Sequence, residues 1–192
     1  MGKINRIDTS IPDLFILEPK VFGDYRGYLL ESYNRIDFAE IGLELDFVQD
    51  NMSRSTRGVL RGLHFQKKHT QGKLVKVTRG RVFDVGVDLR KGSPTYGQWE
   101  GAILDDESHR MLFLPEGFAH GFLVLSEIAD FSYKCTDYYD PENEGGIIWN
   151  DPDIGIEWPL EGITPLLSEK DKKLPRMKDI DLPPFVYNGK EA

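Results

Sequence analysis

Two histidines set the terms on which this chain can do chemistry. His64 stands in the run Arg61-Gly62-Leu63-His64-Phe65-Gln66, and His120 follows in Pro115-Glu116-Gly117-Phe118-Ala119-His120-Gly121-Phe122. A neutral imidazole is a good transition-metal ligand and titrates near neutral pH, whereas an amide is a poor ligand. The residue two positions after His64 is the amide Gln66. That leaves His64 better suited to carrying protons than to joining a metal cage. The pattern predicts acid–base chemistry without a metal.

Such chemistry needs a scaffold that holds side chains around a cavity. Residues 14–17, 27–33, 47–52, 59–66, 74–78, 82–89, 98–104, 111–114, 121–125, 130–138 and 146–149 are rich in β-branched and aromatic side chains. Clusters such as Lys91-Gly92-Ser93-Pro94 and Asp140-Pro141-Glu142-Asn143 separate them. The spacing predicts an all-β fold, a sandwich or barrel of jelly-roll type. Only two short helices are expected, over 37–41 and 168–173, the second capped by Ser168 with Asp171 in its first turn. No repeat or linker divides the chain, so residues 1–192 read as one domain. The tail after Leu174, with Pro175, Pro183 and Pro184, is expected to be extended and peripheral.

Alternation assigns faces. In 82–89, Phe83, Val85, Val87 and Leu89 share one side. Asp84, Gly86 and Asp88 share the other, which is bare enough to line a cavity. Tyr133, Cys135, Asp137 and Tyr139 fall on one side and Tyr138 on the opposite one. Strict alternation over 59–66 puts Leu60, Gly62, His64 and Gln66 together and turns Arg61 away. Either Gly62 marks a bulge that re-aims a side chain, or Arg61 serves a neighbouring subunit.

Composition narrows the function classes. The chain of 192 residues carries a net charge of −8, but residues 54–91 hold eleven Lys or Arg against Asp84 and Asp88. That segment is +9 and the remainder −17. A basic island in an acidic protein suits a small anionic ligand better than nucleic acid. No apolar run reaches the roughly twenty residues that span a bilayer, so no membrane partner is expected. A polar start, Met1 to Thr9, and the single Cys135 predict a cytoplasmic protein.

The run from Pro115 to Phe122 has the Pro-x-Gly-x-x-His shape of a cupin barrel turn, and His64 sits where metal-binding cupins carry a His-x-His pair. Further motifs extend the resemblance: Val21-Phe22-Gly23-Asp24-Tyr25-Arg26-Gly27, Phe47-Val48-Gln49-Asp50-Asn51, Gln71-Gly72-Lys73-Leu74-Val75 and Ile148-Trp149-Asn150-Asp151-Pro152. In this order, from about Ile11 to Asp171, they resemble the dTDP-4-dehydrorhamnose 3,5-epimerases, cofactor-free cupins that invert two ring carbons flanking a ketone. The resemblance implies a cupin-type jelly-roll barrel, a homodimer and a dTDP-sugar substrate in dTDP-L-rhamnose biosynthesis.

A proton beside a carbonyl can be removed if a base is poised near neutral pH and the enolate oxygen is stabilised. His64 is the natural base. The resemblance implies Asp171 as its carboxylate partner, Lys73 beside the enolate oxygen and Tyr133 as the acid on the opposite face, with Tyr139 in reserve. It further implies substrate contacts from Arg26, Glu31, Gln49, Asn51, Arg61, Lys73, His120, Tyr139, Glu144 and Lys170. His120 reads equally well as an architectural residue of the barrel turn, with Asp84 orienting it. His69 and His109 have no such context and are expected at the surface. Two further readings compete with the double epimerase: a relative that inverts one carbon or moves the ketone, and a non-catalytic sugar-nucleotide binding module. A full base-and-acid set argues against the binding module.

Overall fold

The computed structural model describes residues 4–182, 185–187 and 189. Its strands are β1 (Ile4–Asp8), β2 (Phe15–Pro19), β3 (Val21–Asp24), β4 (Gly27–Leu30), β5 (Gln49–Thr56), β6 (Leu60–Gln66) and β7 (Lys73–Arg79). They continue with β8 (Arg81–Asp88), β9 (Trp99–Asp105), β10 (Met111–Leu114), β11 (Phe118–Val124), β12 (Ile128–Cys135) and β13 (Glu144–Gly146). Among the described residues one α-helix, α1 (Arg35–Glu40), begins at Asn34, whose side chain accepts the Ile36 amide. The helix expected over 168–173 is reduced to a single 3₁₀ turn, Asp171–Lys173.

The strands form two antiparallel sheets and a separate hairpin. One sheet runs β1-β2-β10-β7-β12-β5, the other β13-β6-β11-β8-β9, and β3 pairs with β4 alone. Face-to-face packing of the two sheets makes the all-β jelly-roll barrel that the strand spacing predicts. Val75, Val77, Val82, Leu104, Leu114, Phe122 and Phe131 fill the space between the sheets. Phe131 is fully buried and stacks on Phe122 at 4.2 Å. Truncating that ring to alanine would cost about 3–5 kcal/mol through lost transfer energy and the cavity left behind.

Apolar layers outside each sheet are built by the rest of the chain. Phe38 and Leu43, from α1 and the turn after it, cover Phe15, Leu17 and Phe113. Ile147, Ile154, Trp158 and Phe185 cover Leu60, Leu63, Val85 and Leu123. Phe185 corrects the expectation of a peripheral tail: it is buried, and its ring meets Phe65 edge-on at 6.0 Å. Pro183 and Pro184 lie outside the described residues.

The bare face of β8 lines no cavity. A side chain on Gly86 would meet Leu14 and Leu114, which already occupy that space. Asp88 is consumed by a buried cluster, accepting from Arg90, Ser93 and Thr95. The first strand, β1, escaped the sequence reading because Asn5, Arg6 and Asp8 interrupt it; it is an edge strand with no need of a second apolar face.

Candidate active site

His64 is aimed by an irregularity in β6. Opposite β11, His64 pairs with His120 and Arg61 with Phe122, so three steps on β6 match two on β11. The extra residue is Gly62, at φ +118°, where a Cβ would stand 2.6 Å from Gly121 Cα. Only glycine fits a bulge pressed that closely on the next strand. The bulge overturns strict alternation. Leu60 and Leu63 both face the outer apolar layer, while Arg61 and His64 turn towards the barrel interior. The Arg61 guanidinium donates to Ser55 Oγ at 3.1 Å, and its charge acts on the Tyr133 phenol.

His64 Nε2 lies 2.6 Å from Asp171 Oδ1. The 3₁₀ turn holds that carboxylate, and Ser168 Oγ accepts the Asp171 amide at 3.0 Å. Burial pushes the Asp171 carboxyl up. The hydrogen bond and charge of His64 outweigh it, aided by Ser168 and the Gly62 amide, and hold the group below its ordinary value. With Nε2 engaged by a carboxylate, Nδ1 is the ring nitrogen left to exchange a proton.

His64 opens onto a cavity of about 290 Å³ between the sheets at one end of the barrel. The facing wall comes from β5, β7 and β12, where register groups the polar side chains: Tyr133 pairs with Asn51, and Cys135 pairs with both Gln49 and Lys73. Burial pushes the Lys73 ammonium below its ordinary range, partly offset by Cys135, Asp84 and Glu144. Burial also pushes the Tyr133 phenol up, so it stays protonated at neutral pH. Gln49, Asn51, Gln66, Gln71, Tyr139 and Glu144 complete the polar lining. The Tyr139 hydroxyl donates to Glu144 Oε2 at 2.7 Å, and Lys170 pairs with the same carboxylate. Desolvation raises the Glu144 carboxyl, but these two partners more than offset it and keep it low. A base, a half-buried ammonium and a protonated phenol thus face one small space, a constellation suited to enolate chemistry.

Comparison with known proteins decides what this constellation belongs to. The family model described as dTDP-4-dehydrorhamnose 3,5-epimerase matches residues 8–179. The chain belongs to this family. Its members are isomerases, and this protein is one of them. It is 59% identical over 171 residues to the dTDP-4-dehydrorhamnose 3,5-epimerase of Salmonella typhimurium, covering 88% of this chain and 93% of that one. It is 57% identical over 173 residues to the enzyme of that name from Methanothermobacter thermautotrophicus, covering 90% and 94%. A crystal structure of the Legionella pneumophila epimerase in complex with dTDP-4-keto-L-rhamnose superimposes with a TM-score of 0.93, at 53% identity, covering 97% of this chain and 100% of that one. The fold is thus the cupin type that the motifs implied.

Not every residue singled out from the epimerase motifs meets at this cavity. His120 sits beside His64 in register but is buried, not part of the cavity lining, with Nε2 3.0 Å from Asp84 Oδ2 and its ring stacked on Phe131 at 6.0 Å. Burial raises the Asp84 carboxyl, with His120 and Lys73 pulling the other way. Arg26 lies on the β3–β4 hairpin, paired with Asp24 beside a separate shallow depression. Glu31 follows the same hairpin, and its carboxylate accepts from Asn34 Nδ2 at 3.5 Å. Tyr139 reaches the cavity although β12 ends at Cys135, so loop geometry and not strand alternation carries it there. Asp137, expected on the same face, pairs with the exposed His69. Gln71 was the missed residue: it lines the cavity and donates to the Asp137 carbonyl at 2.8 Å. Its only signal was its place two positions before Lys73.

Proposed function

We propose that this epimerase inverts the two carbons flanking the ketone of dTDP-4-dehydro-6-deoxy-D-glucose, giving dTDP-4-dehydro-L-rhamnose for dTDP-L-rhamnose biosynthesis. The observation that carries the reading is the opposition of His64, backed by Asp171, to Lys73 and Tyr133 across one cavity. At each centre His64 removes the proton beside the ketone; the C–H electron pair becomes a carbon–carbon π bond and the carbonyl π pair moves onto oxygen. The Lys73 ammonium stabilises the enolate charge. Tyr133 returns a proton to the opposite face, and the phenolate and imidazolium then re-equilibrate with water. Both carbons finish at the oxidation level at which they began, so the reaction calls for no redox cofactor, and no metal enters this reading.

Arg61 and Lys170 suit the diphosphate, and Gln49, Asn51 and Glu144 supply donors and acceptors to the rest of the substrate. Arg26 and Glu31 need another route. Their hairpin exposes large apolar side chains on both strands, with Tyr28 60% and Leu29 72% accessible. Such a surface favours burial against a second copy. In the homodimer we propose, the hairpin carries Arg26 and Glu31 to the partner's cavity. The test of the activity is incubation with dTDP-4-dehydro-6-deoxy-D-glucose in heavy water. Deuterium should enter both carbons beside the ketone, and a coupled reductase should yield dTDP-L-rhamnose. Label at one carbon alone would replace the double epimerase with a single-centre relative.

A further inference from the structure

Gln66 stands two residues beyond His64, where a metal-binding barrel of this type would carry its second imidazole, and the structure shows what its amide does there. It is 6% exposed. Nε2 donates to the His69 carbonyl and, at 3.2 Å, to the Tyr138 carbonyl; Oε1 accepts the Asp140 amide at 2.7 Å. Both N–H bonds and one oxygen lone pair are therefore spent on the backbone of two loops, one before β7 and one after β12. Between the two stapled positions lies Tyr139, whose own amide donates to Gln49 Oε1 at 2.9 Å. Three consecutive residues are thus tied by two glutamine side chains that rise from opposite sheets.

The other end of Tyr139 is tied as well. Its hydroxyl donates to Glu144, and Glu144 is the cross-strand partner of Gln66 in the β13–β6 pair. The Gln66–Glu144 strand pair therefore ties both the backbone on either side of Tyr139 and its phenol. Tyr139 sits on an irregular loop and is about half exposed even with these ties in place, so little packing would hold it to the cavity wall without them.

We infer that Gln66 is a positioning residue, which fixes Tyr139 as a wall of the cavity and so sets affinity for the sugar nucleotide. The inference rests on the epimerase reading for its substrate, but its geometry is testable without turnover. In Gln66→Met, of similar length and with no hydrogen bonds to give, the Asp140 amide should exchange with heavy water at least about tenfold faster in the substrate-free enzyme. Affinity for dTDP, measured by calorimetry, should fall about tenfold. KM for the sugar nucleotide should rise equally, while kcat and its pH profile stay close to wild type because the His64–Asp171 pair is untouched.

In a Tyr139→Ala background the same substitution should cost no further affinity, since the group it positions is gone. Gln66→Glu guards against a collapsed methionine variant: it retains the acceptor for Asp140 but loses both donations, so the Asp140 amide should stay protected while affinity still falls. An Asp140 amide equally protected in Gln66→Met, unchanged affinity in Gln66→Glu, or additive losses with Tyr139→Ala would each overturn the assignment. Because exchange and dTDP binding need no turnover, a wild-type enzyme that fails to epimerise would sink the proposed activity and leave this test standing.

Discussion

The barrel holds two histidine–carboxylate pairs on neighbouring strands, His64 with Asp171 and His120 with Asp84, and their surroundings make them different devices. The His64 side chain is 30% accessible and opens onto the cavity, whereas His120 is 10% accessible beneath aromatic rings. Asp171 gains support beyond its histidine from Ser168 and the Gly62 amide, and its carboxyl is held down. Asp84 is fully buried, and burial dominates, raising its carboxyl. A carboxylate that stays ionised can stabilise an imidazolium each time one forms. A carboxylate disfavoured by burial makes a poor partner for that cycle and a good internal tie. Identical residue types thus acquire separate work from solvent access and neighbouring donors alone.

The widest separation should come from removing each imidazole. We expect His64→Asn to lower turnover and solvent exchange at both carbons by about 10⁴-fold, the scale on which a positioned base contributes. His120→Asn should cost about 3 kcal/mol of folding stability by stranding Asp84, and lower turnover by only about tenfold. Comparable turnover losses in the two variants would erase the distinction. Next in size, Tyr133→Phe should retain most of the base-driven exchange while inversion falls by about 10³-fold, because only delivery to the opposite face is lost. Wild-type-like inversion would move that duty to Tyr139 or water. Asp171→Asn should lower kcat by about 10²-fold with KM nearly constant, as the imidazole loses its tautomer and charge support.

The smallest effect concerns stability against pH. Asp171 has a depressed folded value, so its contribution is present above the unfolded value of about 3.9 and is lost as pH falls through the folded one. Asp84 has a raised folded value, so its contribution is present below about 3.9 and is lost as pH rises through the folded one. Measured by urea midpoints against wild type, Asp171→Asn should lose ground as pH climbs towards about 4. Asp84→Asn should instead recover ground as pH climbs above about 4. Difference curves of the same slope would show that the two carboxylates are not in opposed environments.

Much of this was legible in the residues. Runs rich in β-branched and aromatic side chains located most strands of the two sheets, β1 excepted, and His64, Lys73 and Tyr133 were found from motifs that the fold brings to one cavity. The failures have physical causes. Alternation cannot count through Gly62, because a bulge inserts a residue without leaving a periodic trace. The face of Asp84, Gly86 and Asp88 looked like cavity lining, but Leu14 and Leu114, distant from it in sequence, fill the space beside Gly86 and His120 meets Asp84. Gln71 and Gln66 bond to loop carbonyls whose positions only tertiary packing defines. Arg26 and Glu31 sit on or beside a hairpin apart from the cavity, and a motif match carries no record of that separation.

The extra residue in β6 has an implication for how the strand could be redesigned. Deleting Gly62 would leave Leu60 and Leu63 outward and Arg61 and His64 inward, now in unbroken alternation. No side chain would need to change sides. What would vanish is one backbone N–H directed at the Asp171 carboxylate. Gly62 is, in that sense, a donor spliced into a strand: a shorter, more regular β6 would keep Arg61 and His64 inward and leave the Asp171 carboxylate more basic.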